Sequence, residues 1–435
     1  VAVLRKEELL KMVMESLKEE SPEERIRDIV KREDNTIDIL GNKFMFKRLY
    51  IFGIGKASIS MIKPFVEEFQ DVLRGCVVVT KKGYGGKVEN VEVYEGGHPI
   101  PDEGTIEGSK RIVEKLREAD EDDLVIFLVS GGGSSTYEIP MDGIDLEDLK
   151  KLYDLILKSG MNIKEMNVVR KHVSKVKGGK TAFLTKAKIV TLMVSDVVGD
   201  DPSTIASGPT YPDFSTYEDA VWILKRWKLW EKIPESARRI LSDGEKGLIP
   251  ETPKNVDEDR VKNIVVSGSR SLCLNLKRKF ESMGYRSLLL STFLEGEAKE
   301  LGKFLAGVAK EIIESGNPIS PPCVLVSGGE ALVKVKGKGK GGPNMEVALS
   351  LAMEMEEENF IFLSMDTDGT DGPTDAAGAI VDGETLRRIR EKGMDPIELL
   401  DNNDSYTALS ISGDLLVTGP TGTNVNDLRV LVLEG

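Results

Sequence analysis

Four carboxylates, Asp366, Asp368, Asp371 and Asp375, fall in one glycine-rich turn directly after the apolar run Ile361–Met365, which predicts a buried strand. Close carboxylates repel unless a cation, a proton or a basic group neutralises them, so the arrangement asks for Mg²⁺, a bound hydroxyl or a lysine partner. A solvated Asx-turn explains any single aspartate in a loop; four acids capping one buried strand favour a site. Asp366, Asp368 and Asp371 are therefore candidate metal ligands. An EF-hand is excluded, because in the register beginning at Asp366 the sixth residue is Asp371 rather than glycine and the twelfth is Ala377 rather than glutamate.

Other strand-like runs end in loops able to present backbone N–H groups to an anion. Leu49–Ile54 leads into Gly55-Lys56-Ala57-Ser58, where glycine admits close approach, a helix start supplies positive potential, and Lys56 could neutralise a phosphoryl group. The turn is neither a P-loop nor a full dinucleotide fingerprint, since Ser58 stands where the third glycine would be. Leu124–Ser130 runs into Gly131, Gly132, Gly133 and Ser134, a nest suited to phosphate or carboxylate. Lys81 and Lys82 follow the strand-like run Cys76–Thr80 and read as a surface pair. In the helical stretch 163–177, Asn167, Arg170, Lys171, Ser174 and Lys177 share a stripe; a solvated basic face is the ordinary reading, and Arg170 and Lys177 are the candidate anion ligands. Asp196, after the run 189–195, is a candidate general base or metal ligand.

The C-terminal half repeats the pattern. Val326-Ser-Gly-Gly-Glu330 precedes Lys334, Lys336, Lys338 and Lys340, whose alternation reads as edge-strand protection. Gly342 and Asn344 open an apolar helix and look like an anion-binding helix start. Thr421 and Asn424 belong to a loop dense in hydroxyls and amides before the last strand.

Positioning such loops requires strands alternating with helices, the βαβ rhythm of a parallel sheet. The 435 residues are too many for one ordinary core. A polar, proline-bearing stretch at 249–260 places the boundary between an N-terminal domain, 1–255, and a C-terminal domain, 256–435. The expected fold is α/β: two α/β/α domains, the first a Rossmann-like parallel sheet, the second a smaller mixed sheet built from runs including 324–327 and 331–335. The net charge of −14 argues against broad nucleic-acid binding. No apolar run is long enough for a membrane span, and the opening residues enter an amphipathic helix without an apolar h-region, so a soluble cytoplasmic protein is expected. Three isolated cysteines and two histidines make a structural zinc site improbable. Lysine and glutamate richness, with Gln70 the lone glutamine, resembles a thermophilic proteome.

Taken in order, Gly55-Lys-Ala-Ser58, Gly97-His-Pro99, Ser130-Gly-Gly-Gly-Ser134, Arg170-Lys-His172, Ser195-Asp-Val-Val-Gly199, Ser207-Gly-Pro-Thr210, Ser327-Gly-Gly-Glu330, Asp366-Thr-Asp-Gly-Thr-Asp-Gly372 and Thr418–Asp427 resemble the class II glycerate kinases, whose C-terminal part is the MOFRL region, here about 324–433. The resemblance implies ATP-dependent phosphorylation of D-glycerate, at the 2-hydroxyl, with Mg²⁺, a cleft between two domains and a homodimer. Pro343 and Met345 depart from the arginine and glutamine the family more often carries there, and Ser135-Thr136-Tyr137 replace an aliphatic tail. Within that resemblance Lys56 is the expected clamp on the phosphoryl group, Asp196 the base, Arg170 the carboxylate anchor, and Asp368 catalytic as a metal ligand. An NAD(P)H-dependent hydroxypyruvate reductase and a non-catalytic sugar-acid binder are the rival readings; the missing third glycine weighs against the first, the acidic turn against the second.

Overall fold

A computed structural model describes residues 3–434. They form two compact units, one of residues 22–195 and 201–266, the other of residues 3–21, 196–200 and 267–434. The first begins with a small antiparallel meander, β1 (Val30–Glu33), β2 (Thr36–Ile39) and β3 (Asn42–Met45). Its main sheet contains β4 (Leu49–Ile54), β5 (Leu73–Lys81), β6 (Glu92–Gly96), β7 (Leu124–Val129), β8 (Lys188–Val194) and β9 (Val261–Ser267), in the order β6-β5-β4-β7-β8-β9. β4 and β7 are buried along their whole lengths, as continuous apolar runs must be when helices cover both faces. The pairings β4/β5, β5/β6, β4/β7 and β7/β8 are parallel. From β4 the chain builds outward to β6, then returns to place β7 on the other side. That reversal is a topological switch point, and ligands of open α/β sheets bind outside the strand ends there. The Gly55 and Gly131 turns leave β4 and β7 at that point.

The second unit holds β10 (Arg286–Glu297), β11 (Cys323–Leu332), β12 (Phe360–Asp366), β13 (Gly378–Asp382), β14 (Leu415–Leu416) and β15 (Asp427–Leu433), ordered β10-β11-β15-β12-β13-β14. Only β10/β11 is parallel; β15 runs antiparallel to both β11 and β12. Side chains alternate between two cores: Leu325, Phe362 and Leu431 pack with helices 298–315 and 343–354, whereas Val324, Leu363 and Val430 pack with helices 6–19 and 269–282.

The expected α/β plan, one parallel and one mixed sheet, is what forms. Three details differ. The stretch 249–260 precedes β9, which completes the first sheet, so the last change of unit comes at residue 267, and residues 3–21 and 196–200 also fall in the second unit. The runs 324–327 and 331–335 are a single strand, β11, which ends at Leu332. β11 is flanked by β10 and β15, and the alternating lysines beyond it belong to no strand, so they protect no edge.

Phe127 on β7 is fully buried, its ring 6.5 Å from that of Phe52 and 5.5 Å from that of Tyr137. Phe127→Ala should destabilise the first unit by about 3–5 kcal/mol, measured by urea denaturation. A loss below about 1 kcal/mol would show that this strand face is not the core.

Candidate functional site

At the switch point the two turns are bonded to each other. Lys56 N donates to Gly131 O (2.9 Å), Ala57 N to Ser130 Oγ (3.0 Å) and Gly55 N to Thr136 Oγ1 (3.1 Å). Gly55 has φ +98°, and a Cβ there would lie 2.4 Å from Ser130 O, so only glycine fits. Ser58 Oγ donates to Gly55 O (2.7 Å), and Ser130 Oγ donates to Ile54 O (3.1 Å). The hydroxyls expected to meet a ligand instead hold the turns together. Gly132, at φ +83°, starts the short helix Gly133–Thr136; a Cβ there would meet the His98 ring at 3.2 Å and Lys56 Cγ at 3.5 Å.

His98 follows β6 closely. Partial burial, reinforced by Lys56, Lys81 and Arg170, pushes its imidazole down to about 4. One ring thus registers three cations and no compensating carboxylate. Arg170 is buried, with its guanidinium 5.5 Å over the Tyr153 ring and 4.0 Å from Met166 Sδ. Lys56 is half-buried. Lys56 and Arg170 thus give the surroundings of His98 a cationic character that suits a small carboxylate or a phosphoryl group.

The stripe read as a solvated face is buried throughout: Asn167, Arg170, Lys171, Ser174 and Lys177 all lie inside. Lys171 Nζ lies 3.5 Å from Asp213. Lys177 is also sealed in. Its ammonium donates to Ser134 O and Tyr137 O (2.8 Å) and stands 3.5 Å from Glu138, while burial pulls it down to about 8. It therefore anchors the Gly131–Ser134 loop from beneath. Ser134 Oγ shares a hydrogen bond with Ser207 Oγ (2.7 Å), which donates to Asn167 Oδ1 (2.9 Å). Ala206 and Ser207 both have positive φ, the kind of backbone strain that collects at functional sites.

In the second unit the acidic loop divides. Asp371 is buried; its Oδ1 accepts Asn344 N (2.9 Å) and Nδ2 (3.2 Å), and its Oδ2 accepts Met345 N (2.8 Å). It caps helix 343–354, with burial outweighing those bonds to push it up to about 6. The helix start at Gly342 and Asn344, expected to hold an external anion, is filled by this internal one. A Cβ on Gly342 would lie 2.5 Å from the Asp371 carboxyl. Asn344 also donates to Asp427 Oδ1 (2.8 Å) and accepts from Ser364 Oγ (2.7 Å), leaving its amide wholly engaged. Asp427 in turn accepts from Ala331 N (2.9 Å) and from the fully buried Arg429 (2.7 Å). Asp427 and Arg429, two apart on β15, share one face of the strand.

Asp366 and Asp368 remain as a carboxylate pair. Asp368 N donates to Asp366 Oδ1 (3.2 Å), and burial with the Asp368 charge raises Asp366 far above the ordinary range. No set of three carboxylate, cysteine or histidine ligands converges among the described residues, so Asp371 does not complete a triad. Glu330 is raised by burial and by the charges of Asp427, Glu295 and Asp196, which places Asp196 among carboxylates of the second unit. Thr421 N donates to Asp368 O (3.2 Å), tying that loop to the acidic one, and Asn424 closes a local turn by accepting Asn426 N (3.3 Å).

A family described as a domain of unknown function, DUF4147, matches residues 8–242, and the MOFRL family matches residues 323–427. The glycerate 2-kinase of Pyrococcus horikoshii is 45% identical over 98% of this chain and 96% of its own length. The D-glycerate 2-kinase of Thermotoga maritima is 41% identical over 89% of this chain and 91% of its own. A crystal structure of glycerate kinase from Thermotoga maritima superposes with a TM-score of 0.86 at 41% identity, covering 98% of both chains. Fold and matches together define a DUF4147–MOFRL protein of the phosphotransferase class. The chain belongs to the glycerate 2-kinase family.

Two substitutions test this geometry. Gly55→Ala should cost at least about 1–3 kcal/mol through backbone strain and separate the two turns, read as a lower melting temperature with lost activity; unchanged melting would refute the close approach. Asp371→Asn presents an amide donor to backbone N–H groups and should cost about 1–3 kcal/mol without altering the Mg²⁺ requirement. A raised Mg²⁺ requirement at unchanged stability would return Asp371 to the metal.

Proposed function

We propose that the protein phosphorylates D-glycerate at its 2-hydroxyl at the expense of ATP. The observation that carries this reading is likeness along nearly the whole chain to glycerate 2-kinases. In the first unit, the cations around His98 suit the glycerate carboxylate, with Arg170 as a two-bonded anchor and Lys56 directed at the transferring phosphoryl group. The Gly131–Ser134 loop supports that anion with backbone N–H groups. In the second unit, the nucleotide is assigned to the loops carrying Glu330, Gly342, Thr421 and Asn424. Asp196 is assigned to take the hydroxyl proton as the oxygen attacks.

Mg²⁺ fits the Asp366–Asp368 pair, because this ion is commonly held by one or two carboxylates with water and phosphate oxygens completing its shell. When bound, it would supply neutralisation of phosphate charge.

The purified protein should release ADP only when D-glycerate is present, and phosphorus NMR should identify 2-phosphoglycerate. Robust NAD(P)H oxidation by hydroxypyruvate without ATP would replace the kinase with the reductase reading. Lys56→Ala should lower kcat roughly 10²–10³-fold with little change in glycerate KM; a change confined to KM would make Lys56 a ground-state binder. Asp368→Asn should raise the Mg²⁺ concentration needed for half-maximal rate, and wild-type kinetics at limiting Mg²⁺ would reduce the acidic pair to a turn.

A further inference from the structure

The segment Lys334-Val-Lys336-Gly337-Lys338-Gly339-Lys340-Gly341-Gly342 has a physical design that edge protection does not explain. Its glycines lie against the turn 402–405. A Cβ on Gly337 would meet Asn402 O at 2.2 Å, one on Gly339 would meet Asp404 Cβ at 2.3 Å, and one on Gly341 would meet Ser405 Oγ at 2.3 Å. Every second residue must therefore be glycine on the underside. The lysines between them, Lys336, Lys338 and Lys340, are exposed, as is Lys334.

The backbone of this strip is pinned. Asn403 Oδ1 accepts the amides of Lys336 (2.7 Å) and Gly337 (2.8 Å), Asn402 Oδ1 accepts Lys338 N (3.0 Å), and Asp404 Oδ1 accepts Lys340 N (3.1 Å). Asn403 also donates to the buried Glu346 (2.8 Å) on helix 343–354. The anchor thus consumes the backbone donors of residues 336–340, so that part of the strip can recognise an anion only through its ammonium groups. Those groups form no ion pair among the described residues, although the chain carries an excess of acids. Lys340 is steadied over the Tyr406 ring at 4.0 Å. At its far end the strip abuts the acidic loop, where a Cβ on Gly372 would meet Gly341 O at 2.7 Å.

From this placement we infer that the lysine strip 334–340 is a binding site for the polyphosphate chain of the nucleotide. Several exposed ammonium groups on a pinned backbone, leading into the loop that carries the carboxylate pair suited to Mg²⁺, match a linear polyanion that carries a divalent cation at one end. The inference rests on the kinase reading for the identity of the nucleotide; the recognition of polyphosphate does not.

The test compares the full-length wild type with Lys336→Ala/Lys338→Ala and with Lys336→Gln/Lys338→Gln, each checked for an unchanged melting temperature. The double variants should raise the KM for ATP at least about tenfold, the scale of lost charge-assisted hydrogen bonds, while glycerate KM stays within about twofold of wild type. Inorganic tripolyphosphate, followed by calorimetry without turnover, should bind the wild type and bind the variants at least about tenfold more weakly. Equal tripolyphosphate affinity in all three proteins, or a shift in glycerate KM alone, would overturn the inference. Loss of tripolyphosphate binding in a protein that turned over no ATP would support the strip and discard only the kinase reading.

Discussion

Like charges held close together are the constraint on which both units depend. Lys56, Lys81 and Arg170 crowd His98 in the first unit, and Asp366 and Asp368 crowd each other in the second. Each gathering is unfavourable in isolation, so rigid surroundings must hold it. In the first unit those surroundings are two buried parallel strands whose turns are bonded backbone to backbone. In the second they are the chain Arg429, Asp427, Asn344 and Asp371, which joins β15 to a helix start and to the acidic loop.

This division separates groups that hold the architecture from groups left to do chemistry. Ser58, Ser130, Lys177, Asn344 and Asp371 have the residue types of ligands, yet their polar atoms are engaged inside the protein. Lys56, Arg170 and the Asp366–Asp368 pair keep charge that is at most partly offset, Arg170 by Glu138, while His98 among the cations is held neutral. Phosphoryl transfer needs mainly positioning and neutralisation of charge, and the cations around His98 in the one unit and the carboxylate pair in the other are groups of the kinds that neutralise charge. Lys177 shows how burial decides the matter: the same ammonium in solvent could meet a phosphate, but here two carbonyls and Glu138 hold it beneath the loop.

Much of the fold was legible because strands buried on both faces are written as uninterrupted apolar runs; Leu49–Ile54 appears with the ends expected. β6 was not, since Glu92-Val-Tyr-Glu-Gly96 is half-exposed at a sheet edge and carries no such run. Missing it left His98, quoted only within the resemblance, without a place, although its position two residues beyond that strand brings it to the cations. Asp427 and Arg429 could have been found from their spacing of two within an otherwise apolar strand. The tasks of Asp371 and Asn344 could not, because a helix capped by an aspartate 27 residues away in sequence is a tertiary fact. The lysine alternation was visible but misassigned; its cause is the turn 402–405, which forces glycine at every other position.

The most direct test of charge confinement is titration of His98 by NMR, which is practical because the chain has only two histidines. In the free protein the imidazole should titrate near 4. Saturating D-glycerate should raise that value, since an anion among the cations favours the charged ring. A midpoint near the ordinary 6.5 that D-glycerate leaves unmoved would contradict both the cationic surroundings of His98 and their assignment to the substrate carboxylate.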